Sequence, residues 1–255
     1  MKIASWNVNS IRARQDRLIA WLGKARPDII CLQETKAVDD AFPLAAIRAS
    51  GYEALFWGQK AYNGVAILGR GPVRALARGF NDGEDDLGAR FLLAEACGVL
   101  VASVYVPNGR EVGTEHYAAK LAWLGRLRRF LDREVEGSIP LALCGDWNIT
   151  PDDRDVWDPE GHRDSIHCHP EERAALEHLM AYGLVDTLRL HDQSPGLYSW
   201  WDYRELGFVK DRGMRLDLVL ASKPLAVRCT AAGIDREERK GKGASDHTPV
   251  WAEFA

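Results

Sequence analysis

The chain is most informative first in what it lacks. It has no basic excess: 33 Lys and Arg stand against 37 Asp and Glu, a formal net charge of −4. That excludes a protein held on nucleic acid by bulk charge, because counterion release needs a cationic surplus on the contacting face. A local basic patch stays open. Lysine is scarce, with 9 Lys to 24 Arg. Arginine offers phosphate a planar, bidentate fork where lysine offers a hydrated point charge, but GC-rich coding produces the same bias with no functional meaning. No run of 18 apolar residues occurs, so no segment reads as a membrane-spanning helix. The start, Met1-Lys2-Ile3-Ala4-Ser5-Trp6, lacks the apolar core of a signal peptide. The five cysteines (Cys31, Cys97, Cys144, Cys168, Cys229) are scattered, with no C-x-x-C spacing. Reduced cysteines and a cytoplasmic location are expected. No Ser/Gly-rich linker breaks the chain, so a single domain over 1–255 is expected.

What is present is a 46% hydrophobic chain in which short apolar runs alternate with amphipathic ones. Strands are expected at Ile3–Val8, Asp28–Gln33, Tyr52–Trp57, Gly64–Leu68, Phe91–Ala96, Leu100–Val106, Leu141–Asp146, Leu216–Ala221, Val227–Gly233 and Pro249–Phe254. Helices are expected at Arg14–Lys24, Phe42–Ser50, Tyr117–Glu134 and Glu171–Tyr182, the third carrying a stripe of Leu121, Leu124, Leu127, Leu131 and Val135. More strands than helices argues for mixed β-sheets faced by helices, an α/β class. A weak echo links Ser5-Trp6-Asn7-Val8-Asn9 with Asp146-Trp147-Asn148-Ile149-Thr150. Chance explains it as well as duplication, yet both fall at strand ends and could bring two Asn side chains to one rim.

The chemistry is concentrated at such ends. Apolar strands run into Asn7, into Gln33-Glu34, into Asp146-Trp147-Asn148, and Ser245-Asp246-His247 precedes another; Asp217 sits in a fifth. A carboxylate inside an apolar strand costs several kcal/mol unless it is paired or metal-bound. Each alone reads as a turn cap; five together read as one rim of a layered α/β fold. Oxygen ligands without a Cys/His cluster suit Mg²⁺, or Mn²⁺ as a substitute, rather than zinc, and Mg²⁺ chemistry of this kind is phosphoryl transfer or phosphodiester hydrolysis. Ser245, Asp246 and His247 cannot form a hydrolase relay among themselves, since neighbours on an extended chain point apart. His247 instead pairs best with Asp217, which leaves Asp246 to turn towards a metal.

These residues also carry a family signature. Trp6-Asn7-Val8-Asn9-Ser10, Leu32-Gln33-Glu34-Thr35-Lys36, Tyr62-Asn63-Gly64-Val65-Ala66-Ile67, Tyr105-Val106-Pro107-Asn108-Gly109, Gly145-Asp146-Trp147-Asn148-Ile149, Arg215-Leu216-Asp217 and Ser245-Asp246-His247-Thr248-Pro249-Val250 follow one another from end to end. In this order the chain resembles exonuclease III, the DNA-repair branch of the endonuclease/exonuclease/phosphatase superfamily that includes the apurinic/apyrimidinic endonucleases. The resemblance implies a four-layered α/β sandwich, two packed mixed β-sheets flanked by helices, and a monomer acting on double-stranded DNA with abasic sites, nicks or blocked 3′ ends. It implies that Glu34 is the main metal ligand with Asn7 and Asp246. Asp146, also among the metal ligands, would orient or deprotonate the attacking water, and Asn148 would hold that water or a phosphoryl oxygen. His247, steered by Asp217, would donate to the scissile phosphate, and Tyr117 would contact it from the start of the long helix. Trp200 would line a pocket for an abasic or terminal sugar, and Met214 falls where some relatives place a second aromatic.

One segment departs from a simple transfer: Asp164-Ser165-Ile166-His167-Cys168-His169-Pro170. Three adjacent residues cannot easily face one ion, which argues against a His-Cys-His metal site. Many relatives carry a small residue near His167, and an imidazole there would take space needed to flip an internal abasic nucleotide out of a duplex. Trimming of 3′ ends is therefore expected to outrun abasic incision. The alternatives are abasic incision as the main activity, a phosphoesterase of the same superfamily acting on another substrate, a non-catalytic DNA-binding scaffold, and a thiol hydrolase using Cys168.

Overall fold

The computed structural model describes every residue, Met1–Ala255. Its fourteen strands are β1 (Lys2–Asn7), β2 (Ile29–Gln33), β3 (Glu53–Trp57), β4 (Val65–Gly69), β5 (Val73–Arg78), β6 (Phe91–Ala96), β7 (Val99–Tyr105), β8 (Leu141–Asp146), β9 (Leu184–Asp186), β10 (Trp200–Trp201), β11 (Gly213–Met214), β12 (Asp217–Ser222), β13 (Cys229–Ile234) and β14 (Val250–Phe254). The helices are α1 (Gln15–Ala25), α2 (Leu44–Ala49), α3 (Glu115–Glu134), α4 (Pro159–His162), α5 (Pro170–Met180), α6 (Thr187–His191) and α7 (Lys223–Ala226).

Twelve strands form two six-stranded mixed sheets, ordered β13-β14-β1-β2-β4-β3 and β5-β6-β7-β8-β12-β9, and β10-β11 forms a separate ribbon. In each sheet one parallel pair sits among antiparallel ones: β1 with β2, connected through α1, and β7 with β8, connected through α3. Period-two alternation decides the layers. Ile3, Ile29, Cys31 and Ile67 point inward and meet Ala94, Val101, Cys144 and Val219 of the second sheet. Their neighbours Ala4, Trp6, Ile30 and Leu32 point outward onto Leu18, Trp21 and Leu22 of α1 and Ile47 of α2. On the far side Ala102, Val104, Leu143 and Leu220 receive Trp123, Leu124, Leu127 and Leu131 of α3 with Leu176 and Leu179 of α5. The result is the four-layered sandwich.

All ten expected strands are present, with ends moved by one or two residues. The run expected from Val227 begins at Cys229, because α7 ends there and leaves Val227 83% exposed. β5 was not expected: its sequence VRALAR is polar on an exposed sheet edge, where charge blunts further pairing. Helix α3 starts two residues early because the Thr114 side chain accepts from the Tyr117 N–H, an N-cap. Its buried face also differs from the expected stripe: Trp123 and Phe130 are buried while Leu121 is only half-buried. No helix is long and apolar enough to cross a membrane.

Candidate active site

Register sets the site. Asp146 at the end of β8 lies beside Tyr105 on β7 and Asp217 on β12, one row across the sheet. The first sheet brings Asn7, at the end of β1, beside Gln33, and the chain then turns through Glu34. Glu34, Lys36, Asn9 and Asn148 all have left-handed backbones, with φ of 51°, 49°, 42° and 50°. Non-glycine residues hold that conformation at a cost of roughly 1–2 kcal/mol each. Strain of this kind collects where a side chain must be aimed.

The two Asn of the sequence echo do reach one rim. Asn7 Nδ2 donates to Glu34 Oε1 and to Asp146 Oδ2, both at 2.9 Å, and so ties the sheets together at the site. The Asn148 N–H donates to Asp146 Oδ1 at 3.0 Å. Glu34 Oε1 also accepts from the Tyr105 hydroxyl at 2.8 Å, and Oε2 pairs with Lys36 at 2.6 Å. Asp246 stands further out, held by Asn9 Nδ2 at 2.9 Å and Trp200 Nε1 at 3.3 Å. Ser245 Oγ donates to the Asn7 carbonyl at 2.8 Å, so the Ser-Asp-His run is no relay. His247 Nδ1 bonds Asp217 Oδ2 at 2.8 Å, and its Nε2 lies 3.6 Å from Asp146 Oδ2.

Charge is tightly balanced here. Burial opposes a proton on His247, but Asp217, Asp146 and Asp246 outweigh it and push the imidazole up to about 10. Burial, helped by Asp217 and Glu34 against the pull of His247, raises Asp146 to about 7. Glu34 is held below the usual range despite its burial, by Lys36 and Asn7. At neutral pH the imidazole is therefore a cation, and Asp146 is the carboxylate nearest to changing state.

The profile described as the Endonuclease/Exonuclease/phosphatase family matches residues 4–247. Exodeoxyribonuclease III of Haemophilus influenzae is 38% identical, covering 100% of both chains. The chain belongs to this family, in its exonuclease III branch. Among solved structures, the 3′ phosphatase NExo from Neisseria, bound to a product DNA hairpin, superposes with a TM-score of 0.96 at 37% identity over 100% of this chain and 99% of that one. An AP endonuclease from Archaeoglobus fulgidus superposes with a TM-score of 0.95 at 36% identity, again over 100% and 99%. Membership of the branch makes the chain a phosphodiester-hydrolysing nuclease. Global similarity does not separate the two activities those relatives are named for, so single residues must.

A divalent metal fits the donors present. The tightest grouping of ionisable donor atoms is Asp146, Asp217 and His247, within 4.8 Å of one another. His247 Nδ1 and Asp217 Oδ2 are already committed to each other, however, and an ion there would break that bond. Glu34 and Asp146 form the better set, two carboxylates crowded around one amide; Asn7 turns Nδ2 to both and Oδ1 to the Asn9 N–H, so it would add a third oxygen by rotating that amide. A cation would relieve that crowding. Asp246 reaches this group through the chain Asn9–Lys36–Glu34, and through Ser245 Oγ, which lies 3.4 Å from Asp246 Oδ1 and donates to the Asn7 carbonyl.

Tyr117, at the start of α3, is largely buried, and its hydroxyl bonds His169 Nδ1 at 2.8 Å. The tyrosine that bonds Glu34 is Tyr105, the last residue of β7, beneath Arg90, whose guanidinium lies 4.6 Å from its ring centroid. Tyr105, like Asn7 and Asp146, is a polar residue closing an apolar strand, and that pattern is its signal in the sequence. Lys36, Asn9 and Ser199 were missed too; their roles depend on contacts distant in sequence.

The segment expected near the DNA also reaches this rim. His167, with φ 75°, is buried; its Nδ1 bonds the Asn148 carbonyl at 2.6 Å, and its ring centroid lies 6.5 Å from that of Trp200. Burial and the Lys120 charge push His167 down to about 3, so it stays neutral. Cys168 and His169 turn elsewhere, to Thr150 and to the cap of α5, and no soft-metal site forms. Met214 is buried beside Trp200, with Val156, Cys168 and Leu216. Four arginines near the cleft are matched by carboxylates: Arg204 pairs with Asp202, Arg212 with Glu205, Arg236 with Asp211, and the buried Arg215 with Asp155 and Asp186.

Proposed function

We propose that this nuclease, with Mg²⁺ as its ion, trims 3′ ends of double-stranded DNA better than it incises internal abasic sites. The observation that carries the reading is His247, fixed by Asp217 and facing Asp146 across 3.6 Å, with Glu34 joined to the same group through Asn7. Glu34 and Asp146, with Asn7 once its amide is turned, would hold a divalent ion, which would supply Lewis-acid stabilisation of charge on the phosphoryl oxygens. Asp146 orients the attacking water and takes its proton. Asn148, its backbone anchored to Asp146 Oδ1, holds the water or a phosphoryl oxygen. His247 presents Nε2–H to the charge that builds on phosphate, and Asp217 holds the other nitrogen. Tyr105, beside Glu34, keeps that carboxylate aimed.

His167 supports the preference for ends. It fills space beside Trp200 in a left-handed conformation that a glycine would adopt without strain, and its two ring nitrogens face Asn148 and Asn108. A flipped internal abasic nucleotide must pass this ring, whereas a frayed end has one strand fewer to displace. The test compares a duplex with an internal abasic site and a nicked 3′-phosphate duplex, using wild type and His167→Gly. The substitution should raise abasic incision selectively. Efficient wild-type incision that the substitution leaves unchanged would discard the preference, and nuclease activity insensitive to chelation would discard the metal.

A cytoplasmic monomer of one domain is part of the same proposal. The single domain is supported by the apolar core that the two sheets share.

A further inference from the structure

A cavity of about 340 Å³ opens beside the active site. Trp200 is the wall between them: its backbone bridges His247, its indole N–H reaches Asp246, and its ring lines the cavity. Trp157, His162 and Met214 line it as well. Trp157 is fixed by its backbone, its N–H donating to the Gly213 carbonyl at 3.1 Å while its neighbour Val156 bridges Met214. His162 meets the Trp157 ring edge-on at 5.5 Å, and the Arg212 guanidinium stacks 4.8 Å from its centroid. Yet this indole remains 38% exposed and stands outside the buried cluster of Val156, Cys168, Met214 and Leu216. It stabilises little core.

Charge decides what the cavity suits. Its two arginines are each matched by a carboxylate that also lines it, Arg204 by Asp202 at 2.6 Å and Arg212 by Glu205 at 3.7 Å. No cationic surplus remains to select a phosphate. What remains is aromatic surface, which favours a flat, neutral group with a π-face. Resting on the 3′-end nuclease reading above, we propose that this cavity takes the nucleobase of the 3′-terminal nucleotide, stacked against Trp157, while the phosphate of that nucleotide lies at Asp146 and His247.

The chemistry then separates two substrates. In nucleotide removal, water adds to phosphorus, the bond from phosphorus to the preceding 3′ oxygen breaks, that oxygen leaves as a hydroxyl, and a 5′-phosphorylated nucleotide departs. In removal of a 3′-phosphate the same bond breaks, but nothing beyond the phosphate enters the cavity. Trp157 is thus a specificity residue for the first reaction.

The experiment measures kcat/KM of Trp157→Ala and Trp157→Phe on two hairpin duplexes, one ending in an ordinary nucleotide and one in a 3′-phosphate. The ratio of nucleotide release to phosphate release should fall roughly tenfold in Trp157→Ala, as loss of one base–aromatic stack predicts, and should be largely restored in Trp157→Phe. In chelator, a 3′-terminal 2-aminopurine should be quenched on binding wild type and less so on binding Trp157→Ala. An unchanged ratio, or equal losses on both substrates, overturns the proposal. Release from neither duplex by wild type overturns the nuclease reading itself, and this one with it.

Discussion

Asp217 offers a single oxygen, Oδ2, to both Ser199 Oγ at 2.7 Å and His247 Nδ1 at 2.8 Å, while its Oδ1 is buried without a protein partner. Ser199 Oγ in turn accepts from the N–H groups of Leu216 and Asp217, each at 3.0 Å. One hydroxyl therefore selects which carboxylate oxygen faces the histidine. Ser199→Ala should lower kcat on the order of tenfold, from a lost hydrogen bond to a charged group worth ~1.5–3 kcal/mol, with KM moving less. Ser199→Thr, which keeps the hydroxyl, should recover most of it. Steady-state kinetics on a 3′-phosphate duplex read both.

Asp146 couples function to stability. Its folded value near 7 lies above that of an unfolded aspartate, so without metal the folded state binds more protons between pH 4 and 7 and loses stability as pH rises through that window. Asp146→Asn removes the buried charge. Its melting temperature should exceed that of wild type by a margin that widens from pH 5 to pH 7, while kcat falls by orders of magnitude. Calorimetry in chelator checks the first part; a margin that shrinks with pH would contradict it.

Activity should need Asp146 ionised and His247 protonated, which gives a bell-shaped kcat/KM profile. The alkaline limb should lie near 10, and Asp217→Asn, which removes the largest influence raising His247, should move it down. The acid limb should fall below 7 in saturating Mg²⁺, because a cation favours the carboxylate.

Metal binding has a readout without turnover. Mg²⁺ should raise the melting temperature of wild type in proportion to the logarithm of its concentration above Kd. Glu34→Gln should shift that dependence to higher concentration, roughly tenfold or more. Equal Mg²⁺ stabilisation in both proteins would remove Glu34 from the ligand set.

Lys120 and Glu172 form a fully buried ion pair, and Lys120 Nζ also donates to the Asn148 carbonyl at 2.7 Å. Lys120→Met leaves Glu172 buried without its partner and should cost about 3–5 kcal/mol. Adding Glu172→Leu should recover most of the stability but not all of the activity, since the Asn148 carbonyl still lacks the Lys120 ammonium. Denaturant melts alongside kinetics would show whether the two separate.

The sequence carried the layers and most of the rim by itself. Alternating apolar residues in β1, β2, β7 and β8 determine which faces are buried. Asn7, Glu34, Asp146, Asp217 and His247 were legible because buried polar groups at strand ends need a common reason. Only tertiary structure decided which partner each would meet. Tyr105 and Tyr117 are both tyrosines near the same loop; strand register carries the first to Glu34, and packing of α3 against α5 turns the second to His169. The net charge of −4 likewise says nothing of where charge lies. Folding pairs most of the arginines beside the cleft with carboxylates, and it brings Glu34, Asp146, Asp217 and Asp246, up to 212 residues apart in sequence, to one rim, with Asp146 and Asp217 facing His247. Long-range register, not local pattern, made those carboxylates a site.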